Sequence, residues 1–252
     1  MALIVEKKGR VMILTLNRPE AMNALDPDTY QELSDACTRF SDDPDAWAAV
    51  ITGAGEKAFC AGADLKKSIP SIKEGYSVPP SIRRGLTIYK PFIAAVNGAA
   101  IGGGLELALA CDLRIASETA TFTMGEARWG LMPGQGGTLR LPRAVGPGRA
   151  AELMFLGKTI DAAEALQIGL VNRVVPQADV LPTALEWAER ICTNSPVAIR
   201  AIKRAMIEGS SMTLEQGLEL EAALAKAVMA SDDAREGMSA FSEKRKPEFK
   251  GT

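Results

Sequence analysis

Pro91-Phe92-Ile93-Ala94-Ala95-Val96-Asn97-Gly98, then Ala99-Ala100-Ile101-Gly102-Gly103-Gly104-Leu105-Glu106-Leu107-Ala108-Leu109-Ala110, then Cys111-Asp112-Leu113-Arg114-Ile115-Ala116 is the stretch whose reading decides the fold. Residues 91–96 form a short apolar run closed by a turn pair, the pattern of a buried strand. Three glycines then lead into an apolar, helix-favouring run, and residues 113–116 give a further strand. Strands alternating with helices point to an α/β fold, in which parallel strands require right-handed crossovers.

Working outward, the same grammar recurs. Residues 48–52 form a buried-strand candidate before Gly53 and Gly55. Residues 3–16 read as two strands around the turn Glu6-Lys7-Lys8-Gly9. A helix is expected from Pro27 after Asp26, with Tyr30, Leu33, Cys37 and Phe40 as its core stripe. Beyond residue 160 the chain turns helical: Asp161 with Glu164 and Thr213 with Gln216 are capping pairs, Gly169 is a stop, and Ser195-Pro196 opens a helix that Gly209 closes. Residues 196–252 therefore read as a small helical subdomain after a core of residues 1–195. Leu214, Leu218, Leu224 and Val228 give it an apolar face that packs either on a neighbouring subunit or within the chain. The least regular stretch runs from Lys67 to Arg84, with Pro70, Pro79 and Pro80, a surface connection or a specificity loop.

Composition limits the chemistry. With 252 residues, 47% of them apolar, the chain can bury a sizeable core. A net charge of -2 gives no broad positive field for nucleic acid or an anionic membrane. No apolar run reaches the ~18 residues that span a bilayer, and the opening residues do not follow a signal-peptide pattern. Cys37, Cys60, Cys111 and Cys192 lack the spacing of a disulfide framework or zinc ribbon, and read as buried thiols of a reducing, cytoplasmic compartment. The chain contains no histidine, which removes His-dependent triads and the commonest metal ligand. Acid–base work falls to carboxylates, lysine, tyrosine or cysteine.

Several residues stand out on these grounds. The run Gly102-Gly103-Gly104 either lets a helix pack closely on a strand or leaves helix N-terminal amides facing a developing oxyanion. Glu106, flanked by apolar residues, is either a first-turn glutamate or a buried acid–base group with a raised pKa. Glu126, ahead of the Gly/Pro-rich residues 130–137, either faces a cleft or is a solvated partner for Arg128. Ala58-Phe59-Cys60-Ala61-Gly62-Ala63-Asp64-Leu65-Lys66 is a small-residue turn whose amides are a second possible anion cradle. Gly146-Pro147-Gly148-Arg149-Ala150-Ala151 fits a dinucleotide fingerprint, but the strand and acidic residue that motif needs are missing. With aromatics at 5%, a two-carboxylate glycosidase would lack sugar-stacking platforms.

Taken in order, these motifs resemble those of the enoyl-CoA hydratase/isomerase (crotonase) superfamily, over residues 17–25, 58–66, 91–116, 126–142, 169–174 and 236–249. The resemblance implies a crotonase-like spiral of ββα turns with a helical C-terminal region used for trimerisation, as a homotrimer or a homohexamer built as a dimer of trimers. It implies an acyl-CoA thioester substrate, with no metal or redox cofactor. By motif position, Ala63 and Gly103 supply the oxyanion-hole amides, and Ala61, Asp64, Leu65 and Lys66 line the CoA site with them. Glu106 and Glu126 match the two glutamates that family hydratases place around one water. Two carboxylates favour hydration of a 2-trans-enoyl-CoA, in fatty-acid β-oxidation or related catabolism. The alternatives are an enoyl-CoA isomerase or a specialised dehydratase or lyase of the same superfamily. Met124-Gly125 and Gln135 depart from common family residues at the acyl pocket.

Overall fold

In the computed structural model, residues 1–67 and 77–252 are described. Two sheets organise the core. The larger has strand order β1-β2-β3-β5-β7-β10, formed by β1 (Leu3–Lys8), β2 (Val11–Leu16), β3 (Ala48–Gly53), β5 (Phe92–Val96), β7 (Leu113–Ser117) and β10 (Arg173–Val175). Only the β1–β2 hairpin in it is antiparallel. The smaller sheet has order β4-β6-β8-β9, formed by β4 (Ala58–Cys60), β6 (Ala99–Ile101), β8 (Thr121–Thr123) and β9 (Thr159–Asp161).

The chain alternates between these sheets. β3 leads to β4, β5 to β6 and then helix α2 (Gly103–Ala110), and β7 to β8, so each turn of the spiral gives one strand to each sheet. This is the ββα spiral that the family resemblance implies.

The centre of the larger sheet is buried on both faces, which is why β3 and β5 read as continuous apolar runs rather than alternating ones. Side chains still alternate between two cores. Leu14, Ile51, Ala94 and Val96 face the main core, which takes in Tyr30, Leu33, Cys37 and Phe40 of α1 (Pro27–Asp42). Val11, Ile13, Val50, Ile93 and Ala95 face α6 (Val180–Cys192) through Val180, Ala184 and Ala188. The α1 stripe is core as expected, and Phe40 meets Phe92 edge-on with ring centroids 4.9 Å apart.

The expected helix boundaries are also found. Asp26 caps α1 by accepting from Thr29 N, with Pro27 in the first turn. Asp161 caps α5 (Ala162–Gln167), Ser195 caps α7 (Pro196–Gly209), and Thr213 with Gln216 forms a full capping box on α8 (Leu214–Met229). Helices α3 (Gly137–Val145), α4 (Pro147–Leu156) and α9 (Asp232–Ser242) lie between and after these. Sequence periodicity did not give the smaller sheet. Its strands are three residues long, too short to show a period of two, and residues 58–60, read as part of a turn, are strand β4.

Of the irregular stretch from Lys67 to Arg84, residues 68–76 lie outside the described residues. The rest ends in a tight turn in which Ser81 and Arg84 exchange backbone hydrogen bonds of 2.7 and 2.9 Å. Among the described residues, no helix is long and apolar enough to cross a membrane.

Candidate active site

Strands β4, β6 and β8 run parallel, and the segments leaving their carboxyl ends meet over one cavity of about 430 Å³. Residues 61–65 follow β4, Gly102 and Gly103 follow β6, and Gly125 and Glu126 follow β8; all but Asp64 line the cavity. Crevices outside strand carboxyl ends are where open parallel sheets bind ligands, because loops from neighbouring strands converge there.

The glycine run serves both purposes left open by the sequence, at different residues. Gly104 allows close packing: a Cβ there would lie 2.0 Å from the carbonyl oxygen of Cys60, so α2 can approach β4 only without a side chain. Gly103 supplies a donor. It is the first residue of α2, where an amide has no intrahelical acceptor. A Cβ on Gly103 would be 3.6 Å from the Ala63 amide nitrogen, so the two amides are neighbours. The Leu25–Ala63 bridge uses Leu25 N to Gly62 O and Asp64 N to Leu25 O, leaving Ala63 N unused. Two amides beside one cavity, without an acceptor among the described residues and one of them at a helix N-terminus, can hold negative charge on an oxygen.

Glu106 is buried, with 3% of its surface exposed. Its Oε1 accepts hydrogen bonds from Gln135 N at 2.7 Å and Gly137 N at 2.9 Å. The Gly/Pro-rich loop after Glu126 thus clamps Glu106, and among the described residues no hydrogen bond uses Oε2. Glu126 opens a 3-10 turn (Glu126–Trp129). No ion pair joins it to Arg128 among the described residues, and its Oε2 is buried without a hydrogen-bond partner. Burial raises its pKa, and the negative charge of Glu106 adds to the rise. Its carboxylate lies against Gly102, whose φ of +52° and missing side chain make the room: a Cβ there would sit 3.1 Å from Glu126 Oε1.

Of the other expected residues, Ala61, Ala63 and Leu65 line the cavity, whereas Asp64 and Lys66 do not. Asp64 turns to Arg18, accepting from Nη2 at 2.9 Å. Arg18 also pairs with Asp26, and Lys67 donates to Asp26 at 2.7 Å, so this ion network anchors the loop that presents Ala63. Lys66 is exposed. Cys60, beside the site, is fully buried, and burial pushes its thiol up to about 11, too high for thiolate chemistry near neutral pH.

Sequence reasoning missed Arg83, which is 2% exposed and lines the cavity. Its guanidinium carbon is 4.8 Å from the centre of the Tyr30 ring. An arginine in an irregular stretch carries no periodic signal of burial, so nothing in the sequence pointed to it.

The family model described as enoyl-CoA hydratase/isomerase matches residues 6–252. The chain belongs to that family. Among its relatives, the (E)-benzylidenesuccinyl-CoA hydratase of Thauera aromatica is 41% identical, with 100% of both chains covered. The short-chain-enoyl-CoA hydratase of Clostridium acetobutylicum is 43% identical over 97% of this chain and 96% of its own. Among solved structures, an enoyl-CoA hydratase from Bacillus anthracis superposes with a TM-score of 0.94 at 40% identity, with 100% of both chains covered. Family membership brings the crotonase fold with it, in agreement with the spiral described above.

Proposed function

We propose that this protein is an enoyl-CoA hydratase, a hydro-lyase that reversibly adds water to a 2-trans-enoyl-CoA to give a 3-hydroxyacyl-CoA. The observation that carries the reading is the convergence of two carboxylates, Glu106 and Glu126, on one cavity beside the unpaired amides of Ala63 and Gly103. Relatives named as hydratases at 41–43% identity over nearly the whole chain support it.

The thioester oxygen sits between the two amides. As water attacks the β-carbon, electron density moves onto that oxygen, and each amide stabilises it; removing one such donor elsewhere costs about 3 kcal/mol. Glu106, fixed through Oε1, offers Oε2 to the water and takes its proton. Glu126, whose raised pKa keeps a larger protonated fraction than an ordinary carboxylate has, delivers a proton to the α-carbon. Atoms and charge balance without an electron acceptor or metal, so the step needs no cofactor beyond the CoA of the substrate. The CoA contacts expected of Lys66 and Asp64 belong to this proposal, with Asp64 acting through the Arg18 network.

The biological setting follows the same reading: catabolism of fatty acyl-CoA or related thioesters, in a reducing cytoplasm that fits four unpaired cysteines. A homotrimer, alone or paired into a hexamer, would cover the apolar groove between α7 and α8, about 610 Å³ in volume and lined by Ile202, Met206, Leu218 and Leu224.

Loss of the conjugated-thioester absorbance of crotonyl-CoA, matched by 3-hydroxyacyl-CoA, tests the activity directly. Glu106→Gln and Glu126→Gln should each fold and bind acyl-CoA but lose about 100- to 10,000-fold in kcat. Near-wild-type turnover in either would remove that residue from the mechanism. Migration of the double bond of a 3-enoyl-CoA without hydration of the 2-enoyl-CoA would replace hydratase with isomerase.

A further inference from the structure

Among the described residues, four buried side-chain polar atoms have no hydrogen-bond partner: Glu126 Oε2 and all three guanidinium nitrogens of Arg83. Both residues line the same cavity. Glu126 is accounted for by the proposed chemistry, and Arg83 is not.

A buried arginine with no partner is a costly arrangement, because the ion loses its hydration and gains nothing in return. The Tyr30 side chain offers a cation–π contact and interacts with the guanidinium through its hydroxyl, but it brings no negative charge, and no Arg83 nitrogen reaches a hydrogen bond of good geometry among the described residues. No carboxylate among the described residues forms an ion pair with Arg83: Glu106 is clamped by two amides, and Asp26 and Asp64 are taken by Arg18 and Lys67. The position is nevertheless held firmly from behind. The Ser81–Arg84 turn fixes the backbone, Ser81 Oγ accepts from Arg83 N, and Arg140 donates to the carbonyl oxygen of Arg83 at 2.9 Å. Arg140 also donates to the carbonyls of Ile82 and Gln135, so it braces the turn and adds positive charge behind it.

The geometry says where the missing partner belongs. Arg83 Nη1 is 3.7 Å from the point where a Cβ on Gly103 would lie, and the Ala63 amide nitrogen is 3.6 Å from that point. The guanidinium therefore sits beside the oxyanion site, within a few bonds of where a thioester carbonyl would rest. A planar fork of N–H donors with no acceptor, buried in the wall of a cavity, matches a carboxylate in two-point contact once an acyl group enters.

We infer that the preferred substrates are short enoyl-CoA thioesters whose acyl group carries a free carboxylate, with Arg83 as the residue that recognises it. The inference rests on the hydratase reading and narrows it to a substrate class. Neutral acyl groups leave the guanidinium uncompensated in the complex, whereas an acyl carboxylate gives it both charge and hydrogen bonds. Discrimination of this kind arises because a buried polar group is left unpaired by the wrong substrate.

The test compares glutaconyl-CoA with 2-pentenoyl-CoA as substrates, and glutaryl-CoA with pentanoyl-CoA as non-reacting ligands measured by calorimetry. Wild type should favour each carboxylate by about 10-fold or more, in kcat/KM and in Kd respectively. Arg83→Met should lower kcat/KM for glutaconyl-CoA about 10- to 100-fold and change that for 2-pentenoyl-CoA by less than about 3-fold. Arg83→Lys, which keeps the charge and loses the fork, should fall between. Thermal melting checks the fold; removal of an unpaired buried charge should leave the melting temperature unchanged or raised.

Equal use of the two substrates by wild type, or parallel loss on both in Arg83→Met, would overturn the inference and assign Arg83 to the oxyanion or to the fold. Should Arg83→Met fail to fold, wild-type preference and Arg83→Lys decide. If wild type hydrates neither of these substrates nor crotonyl-CoA, the hydratase reading fails, while the glutaryl-CoA and pentanoyl-CoA affinities still decide the role of Arg83.

Discussion

Glu106 and Glu126 are the same side chain in two different surroundings. Glu106 is buried yet receives two backbone donors, whereas Glu126 has a buried oxygen with none and a pKa raised by burial and by Glu106. A carboxyl whose pKa is higher folded than unfolded stabilises the fold while protonated, and that contribution is lost as pH rises through the folded pKa. Glu126→Gln, neutral at every pH, should therefore melt at a higher temperature than wild type at pH 8, with the gap closing as pH falls below the ordinary carboxylate range. A gap that stays constant with pH, measured by thermal melts across that range, would contradict the assigned environment. Arg83 makes the same point from the other sign of charge, since its meaning comes from what does not surround it.

At the scale of elements, the site depends on how loops are tied down. Asp26 caps α1 and also accepts from Lys67 and pairs with Arg18, which in turn holds Asp64 beside Ala63. Burial alone would raise its pKa, but the hydrogen bonds from Lys67 and Thr29 and the charge of Arg18 bring it from 3.8 down to about 2. Stability tied to this carboxylate is present above the unfolded value of 3.8 and is lost as pH falls toward about 2. Asp26→Asn should thus show a weaker loss of stability across that interval than wild type in acid-unfolding curves, and Asp26→Ala should in addition lose about 1 kcal/mol from the cap. A second element-level test concerns α2. Position 103 is its first residue, where a missing N–H leaves the helix intact, so Gly103→Pro deletes one of the two amides proposed to hold the thioester oxygen. Hydration should fall about 100-fold or more with the circular dichroism spectrum retained.

For the whole molecule, the C-terminal helices present an apolar surface to solvent. None of the residues of α8 is buried, and Leu214 and Met206 are 81% and 70% exposed. Within the single chain, then, the apolar face read from the sequence is covered only in part, Leu214 and Leu218 being exposed and Leu224 and Val228 half-buried, and the trimer proposed above would cover the rest. Leu218→Glu with Met206→Glu should convert the assembly to a smaller species in light scattering while the far-ultraviolet spectrum is unchanged; an unaltered mass would move the subunit contact elsewhere.

Local chemistry written into short stretches was legible in advance. The caps at Asp26, Asp161, Ser195 and Thr213 depend on neighbours three residues away, and the α1 stripe and buried strands depend on periodicity alone, so the sequence by itself determined these elements and the α/β class. Glu106 and Glu126 were legible as candidates because family motifs surround them. Only the tertiary structure decided what each polar group meets. The three-residue strands of the smaller sheet exist because distant segments pair, and Ala63 meets Gly103 because β4 and β6 are adjacent. Asp64 turns to Arg18 rather than into the cavity, and Arg83 is buried with no hydrogen bond to its guanidinium among the described residues. The physical reason is common to all four: hydrogen-bond satisfaction and burial are set by contacts between residues far apart in the chain, and local residue order does not encode them.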